Sequence, residues 1–283
     1  MKNFLKGFGI AALVLVIGVA TVIFLHPDIE IGAVSTDFEL GAAHGVAFPA
    51  PPAITTGPPE ETTPTYIPQP TEITVHEFLH KNPFPERFVA DNGDLPWYLT
   101  LVNRCNFLNY DFAPVVAHVG GGHYFDERAA QSLVEMMDAA RDYGLSPLIV
   151  SSTRTVARQR YLFDRQVNRQ ISAGLSAEDA FEQARRVVAY PGSSEHNLGL
   201  AVDIVSYAHR GLTAAFGQTP EGIWLAQNGH YFGFVVRYQD HKQHITNIIY
   251  EPWHFRYVGI SAATFMFEND LTLEEYVFWR LNS

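Results

Sequence analysis

The sequence predicts an α+β domain, residues 77–283, preceded by a membrane-spanning helix and a disordered linker. Three observations lead there. One is an uncharged apolar run near the N-terminus. Another is a proline- and threonine-rich stretch without basic residues. The third is the order of the periodic segments after residue 77, with helical spacing first and strand-like runs later.

The apolar run Gly7–Leu25, GFGIAALVLVIGVATVIFL, has 19 residues and no formal charge. As a helix it is roughly 28 Å long, about the hydrocarbon thickness of a bilayer. Lys2 and Lys6 precede it, and no Lys or Arg follows until Lys81. That bias puts the N-terminus in the cytoplasm and predicts a single pass of the cell membrane, with the remainder extracellular or periplasmic. A cleaved signal peptide would give the same sidedness, but the run is long for one and no A-x-A site follows it. Residues 1–25 therefore read as a membrane anchor.

Residues 26–76 read as a linker. Nine of the 17 prolines lie between Pro27 and Pro70. Proline removes backbone donors and fixes φ, so neither helix nor sheet propagates there. The whole chain carries 19 Lys+Arg against 30 Asp+Glu, a formal charge of −11. Residues 26–80 hold eight acids and no Lys or Arg, so they account for −8 of that total. An acidic chain repels phosphate backbones, which argues against a nucleic-acid partner. The single cysteine, Cys105, excludes an intramolecular disulfide framework and a thiolate metal cluster.

Within the domain, Asp126–Tyr143 has amphipathic helical spacing, with Asp126 as its cap and Gly144 as its end. Leu148–Val150 reads as a buried strand leading into a loop at Ser151–Arg154. A helix follows from Thr155 to near Ser172, and a second opens at Ser176-x-x-Asp179 and ends near Val188. Gly199–Val205 reads as a strand. Thr219-Pro220 opens a helix to about Gly229. Phe232–Tyr238 and Asn247–Glu251 look like a strand pair.

Two segments concentrate chemistry. His196 lies in PGSSEHNLGLAVD, seven residues before Asp203, and His254 lies in EPWHFRYVG, three residues after Glu251. A catalytic zinc ion takes about three protein ligands from His, Asp and Glu and keeps one open position. His196, Asp203 and His254 supply such a set, and Glu251 is placed to act as a general base. Spacing alone leaves another reading open, with Asp203 as a strand-end cap and no metal.

These segments resemble the two metal motifs of the VanY-type D-alanyl-D-alanine carboxypeptidases, zinc peptidases of the LAS group. Their pattern is S-x-H-x(6)-D followed by E-x-x-W-H or E-P-W-H. Ser152–Thr155 with Gln159 resembles the family's S-G-Y-R-S…Q segment, and the likeness runs from about Leu95 to Gly259. The resemblance implies an antiparallel sheet with helices on one side and zinc at the sheet cleft, a LAS/hedgehog-like fold. It implies His196, Asp203 and His254 as zinc ligands and Glu251 as the catalytic base. Arg154 would stabilise an oxyanion or bind a terminal carboxylate, with Gln159, Ser194 and Trp253 at the substrate. The implied reaction removes the terminal D-alanine from peptidoglycan stem peptides. Alternatives are an L,D-carboxypeptidase or endopeptidase with the same zinc site, or a non-catalytic wall-binding domain. Ser152-Thr153 stands where the family has Gly-Tyr, which raises the expectation of an altered pocket wall. Arg237 and Arg256 are expected to make structural pairs.

Overall fold

The computed structural model describes residues 74–82 and 84–283. The expected anchor, Gly7–Leu25, and nearly all of the expected linker lie outside the described residues. Among the described residues, no helix is long and apolar enough to cross a membrane.

Helix α1 (Val75–Lys81) starts with a capping box, in which Thr74 and Glu77 each accept from the other's amide. It straddles the boundary expected at 76/77, and its Val75 and Phe78 are buried against the C-terminal part of the chain. Strands β1 (Val116–His118) and β2 (Tyr124–Asp126) then form an antiparallel hairpin. Gly120, Gly121 and Gly122 make the turn, all with positive φ, a conformation open to glycine without Cβ strain.

This hairpin corrects one expectation. Asp126 does not open a helix. It ends β2, and α2 (Ala130–Asp142) begins four residues later. Phe125 is fully buried in the core, so tertiary packing overrides the helical spacing at this end. The Asp126 carboxylate accepts from the Arg128 amide and guanidinium instead.

Strand β3 (Pro147–Ser151) leads through Thr155, which caps the Arg158 amide, into α3 (Val156–Ser172). Helix α4 (Ala177–Ala184) is capped by Ser176 and ends earlier than expected. The one-turn helix α5 (Glu195–Leu198) stops at Gly199, whose φ of 85° lets the chain turn straight into β4 (Ala201–Ser206). Next come α6 (Pro220–Asn228), β5 (Phe234–Tyr238), α7 (Gln243–Thr246), β6 (Glu251–Tyr257), α8 (Ile260–Glu268) and α9 (Leu273–Asn282).

The four-stranded sheet is antiparallel in the order β3-β4-β6-β5. The sequence paired Phe232–Tyr238 with Asn247–Glu251, whereas the partner of β5 is Glu251–Tyr257. Every residue of β6 is buried. A strand covered on both faces shows no polar alternation, which hid it.

One face of the sheet carries Val202, Ile204, Phe255 and Phe234. They pack against Leu133 and Met136 of α2 and Trp224 of α6 in the main core. The other face carries Asp203, His254 and Arg256. Glu195 of α5 covers it, and Glu274 of α9 reaches Arg237 at its β5 edge. Helices therefore cover both faces rather than one, because buried charges on the second face need partners from outside the sheet.

Phe255 is fully buried beside His254 but faces the main core. Phe255→Ala is expected to lower the unfolding free energy by about 3–5 kcal/mol. Urea denaturation monitored by circular dichroism measures this.

Candidate metal centre and its cavity

Three buried side chains from three elements meet at one point. His196 comes from α5, Asp203 from β4 and His254 from β6, and they are 2%, 3% and 4% exposed. Asp203 and His254 are directly opposed in the β4–β6 register, so sheet pairing alone brings them together. The turn at Gly199 returns the chain so that His196 joins them. One ligand atom from each lies within 4.8 Å of the other two. His196 Nε2 is 3.3 Å from Asp203 Oδ1, and His254 Nδ1 is 3.2 Å from the same oxygen.

Each of the three side chains is pinned on its far side. His196 Nδ1 donates to the Ser152 carbonyl at 2.8 Å, which leaves the Nε2 lone pair toward the centre. His254 Nε2 donates to Glu195 Oε2 at 3.4 Å, which turns Nδ1 inward. Asp203 Oδ2 accepts from Arg154 Nη2 at 3.1 Å, which leaves Oδ1. His196 Nε2 and Asp203 Oδ1 are buried without a hydrogen-bond partner. Unpaired buried polar atoms facing one point fit a cation there. A tetrahedral zinc ion with bonds of about 2.0–2.1 Å holds its ligand atoms about 3.3 Å apart. Two imidazoles and one carboxylate at these separations fit zinc.

Glu195 was not singled out from the sequence, although an acid next to His196 in a buried segment was visible. Its Oε1 accepts from Arg237 Nε at 2.7 Å and from Arg256 Nη1 at 2.8 Å. Arg237 also binds Glu274 of α9 through both terminal nitrogens, at 2.8 and 2.6 Å. Asn103 donates to Glu274, and Arg256 donates to the carbonyls of Tyr98 and Thr100. Arg237 and Arg256 thus make the structural pairs expected of them. A continuous buried chain runs from α9 through Arg237 and Glu195 to His254.

The three side chains open into a cavity of about 510 Å³, which Glu251, Arg154, Gln159, Ser194 and Trp253 also line. Glu251 Oε2 is 3.8 Å from His254 Nδ1. Arg154 Nη1 donates to Gln159 Oε1, and Gln159 Nε2 donates to the Ala189 carbonyl at 2.7 Å. The Gln159 amide is therefore engaged at both ends. It lines the cavity and also holds Arg154 in place. Ser194 stands at the start of α5, and Trp253 is mainly a core residue that reaches the cavity wall. Tyr238, missed in the sequence, lines the wall with its ring 4.8 Å from that of His254. Ser152 and Thr153 do not line the cavity. Their backbone and hydroxyl groups tie β3's end to Tyr124 and His196.

Burial dominates the titration of the centre. It pushes Glu251 up to about 8, against the pull of His254 and Arg154. It pulls His196 down to about 4, helped by Arg154. Burial would also lower His254, but the Asp203 and Glu195 carboxylates beside it override that and hold the imidazole at about 9. Burial opposes ionisation of Glu195 too, and Arg237 and Arg256 overcome it, keeping Glu195 well below the usual carboxylate range.

A family profile described as VanY, D-alanyl-D-alanine carboxypeptidase, matches residues 122–260. A D-alanyl-D-alanine carboxypeptidase of Enterococcus faecalis is 38% identical over 181 residues, covering 64% of this chain and 66% of that protein. The crystal structure of a vancomycin-resistance D,D-pentapeptidase VanY from a VanB-type resistance cassette, in complex with Zn(II), is similar with a TM-score of 0.59. It is 38% identical and covers 64% of this chain and 99% of that one. The LdcB LD-carboxypeptidase structure is similar with a TM-score of 0.56 at 38% identity, over 62% of this chain and 83% of that one. The chain spans 53% and 66% of the length of the first curated relatives it matches.

Two predictions follow from the linkage of metal, protons and packing. His254 and Glu251 have folded values near 9 and 8, above their ordinary 6.5 and 4.5. Stability from a raised group is present below its unfolded value and lost as pH rises through its folded value. The zinc-stripped chain should therefore lose thermal stability between about pH 6.5 and 9, most steeply between about 6.5 and 8, where both groups act in the same direction, and through His254 alone above that. Zinc must displace the His254 proton and favours ionised Glu251, so its apparent affinity should rise through that window, with more than one and up to about two protons released at pH 7. Calorimetry in buffers of different ionisation enthalpy reads that proton. Separately, Glu274→Gln, which leaves Arg237 underpaired, should weaken zinc binding by roughly 10-fold or more, measured by chelator competition.

Proposed function

The chain belongs to the VanY D-alanyl-D-alanine carboxypeptidase family, and from that premise we propose that it is a zinc-dependent D,D-carboxypeptidase removing the terminal D-alanine from peptidoglycan stem peptides. The observation that carries this reading is the convergence of His196, Asp203 and His254 beside Glu251 in one cavity.

His196, Asp203 and His254 would hold the zinc. When bound, it supplies Lewis-acid polarisation of the scissile carbonyl and makes water more acidic. A cation there also favours ionised Glu251 and neutral His254, the states the chemistry needs. Glu251 takes a proton from the attacking water as the new C–O bond forms. It then delivers that proton to the leaving D-alanine nitrogen as the C–N bond breaks. Arg154, fixed by Gln159 and Ser151, is placed to bind the terminal carboxylate or the developing oxyanion. Ser194 and Trp253 shape the wall around it.

The likeness to an LD-carboxypeptidase keeps one second reading, cleavage of the L,D bond by the same centre. We infer further that residues 1–25 form a single-pass anchor of the cell membrane and residues 26–76 a spacer. Residues 77–283 would then be an extracellular or periplasmic catalytic domain. The apolar run, the flanking Lys2 and Lys6 and the absence of Lys and Arg up to Lys81 support this.

Glu251→Ala should cut D-alanine release from a stem pentapeptide by about 10²–10⁴-fold while zinc content is retained. Undiminished release would sink the assignment of Glu251. Digestion of tetrapeptide and pentapeptide stems side by side separates the two bond preferences, and the D,D reading requires the pentapeptide to be the better substrate.

A further inference from the structure

The cavity is larger than a terminal D-alanine needs, and its walls differ in kind. Helix α3 forms one wall, presenting Arg158, Leu162, Arg165, Gln166 and Arg169. These positions fall at i, i+4, i+7, i+8 and i+11, one face of a helix. The lining also has an apolar part, with Val187, Val188, Ile248 and Ile249. Arg158, Arg165 and Arg169 make no ion pair among the described residues, whereas Arg154 in the same cavity is paired with Asp203. Arg158 lies over the Tyr161 ring at 5.0 Å. Gln166, between Arg165 and Arg169, is 7% exposed, and its Nε2 is buried without a hydrogen-bond partner. A buried amide donor is costly to leave unpaired, and unpaired cations beside it attract an anionic acceptor.

Geometry sets the size of that acceptor's carrier. Arg154 precedes α3, and the helix carries these positions onward along the cavity wall. From Arg158 to Arg169 it rises about 16 Å, the span of about five residues of extended peptide. We propose that this wall of α3 is a carboxylate-reading subsite for the substrate peptide upstream of the scissile bond. Arg165, Gln166 and Arg169 bind a free carboxylate there, while alkyl parts of the peptide lie on the apolar part of the lining. The enzyme then selects stem peptides whose upstream carboxylate is free over those in which it is amidated. This rests on the peptidase reading of the cavity.

The test uses the full-length, zinc-loaded chain and two synthetic pentapeptides that differ only in an upstream carboxylate, free acid against primary amide. The dissociation constant of each is measured by calorimetry in the Glu251→Ala chain, and kcat/KM in the parent chain. The acid should bind and react better by about tenfold or more, with the advantage shrinking as salt rises. Arg165→Gln with Arg169→Gln should bring the two peptides to parity, and Gln166→Leu should reduce the advantage. The double variant, at two exposed positions, and Gln166→Leu, which replaces an unpaired amide, should both retain the parent's zinc content and melting temperature. Equal affinities in the parent series, or a preference that survives the double substitution, overturn the proposal. If neither peptide is hydrolysed but the acid still binds more tightly through Arg165 and Arg169, the subsite stands and the peptidase reading falls.

Discussion

A carboxylate held ionised without water organises this centre. Glu195 is fully buried, and an unpaired buried charge costs several kcal/mol, so its surroundings are dictated by the need to satisfy it. Arg237 from β5 and Arg256 from β6 meet its Oε1, and His254 meets its Oε2. Arg237 in turn needs Glu274 from the C-terminal helix, and Arg256 needs the carbonyls of Tyr98 and Thr100. The sheet, α5, α9 and the segment before β1 are thereby tied to the orientation of one imidazole. Removing any member leaves a buried charge short of its partner, which is why elements far apart in sequence constrain the same ligand.

The same logic sets the state of the metal ligands before any cation arrives. The Ser152 carbonyl fixes one tautomer of His196, Glu195 fixes the donor nitrogen of His254, and Arg154 occupies one oxygen of Asp203. What remains is one inward atom per residue. Such preorganisation lowers the ordering cost of binding, and hydrogen bonds of this kind hold metal ligands in their working geometry. The Arg154 guanidinium that orients Asp203 also lines the cavity, so one side chain joins the ligand set to the space beside it.

Local signals in the sequence carried the helices that cap themselves. Thr155, Ser176 and Thr219 each accept from the amide where the helix opens, as their positions implied. The spacing of His196, Asp203 and His254 offered a zinc set beside Glu251 with a metal-free reading left open, the family resemblance implied the assignment, and the β4–β6 register brings Asp203 and His254 together. What stayed hidden was non-local. Asp126 carries helical spacing but is claimed by the β1–β2 hairpin, and β6 is buried on both faces and shows no alternation. The partnership of Glu195 with Arg237, Arg256 and Glu274 joins residues up to 79 positions apart, and no local pattern encodes it. The bond from Gln159 to the Ala189 carbonyl likewise forms only when α3 packs beside the loop after α4.

Charge is the remaining property that the whole-chain figure misdescribes. The formal charge is −11, yet eight of those negative charges sit in residues 26–80. At physiological ionic strength an exposed charge is screened beyond about 8 Å, so the whole-chain figure says little about any one cavity. Within the cavity the balance differs. Asp203 and Glu251 sit at its metal end beside Arg154, while the α3 wall presents Arg158, Arg165 and Arg169 without acidic partners. The cavity therefore divides into an end suited to a cation and a carbonyl, and a wall suited to carboxylates. A ligand that satisfies both must carry its reacting bond at one end and a negative charge a few residues away.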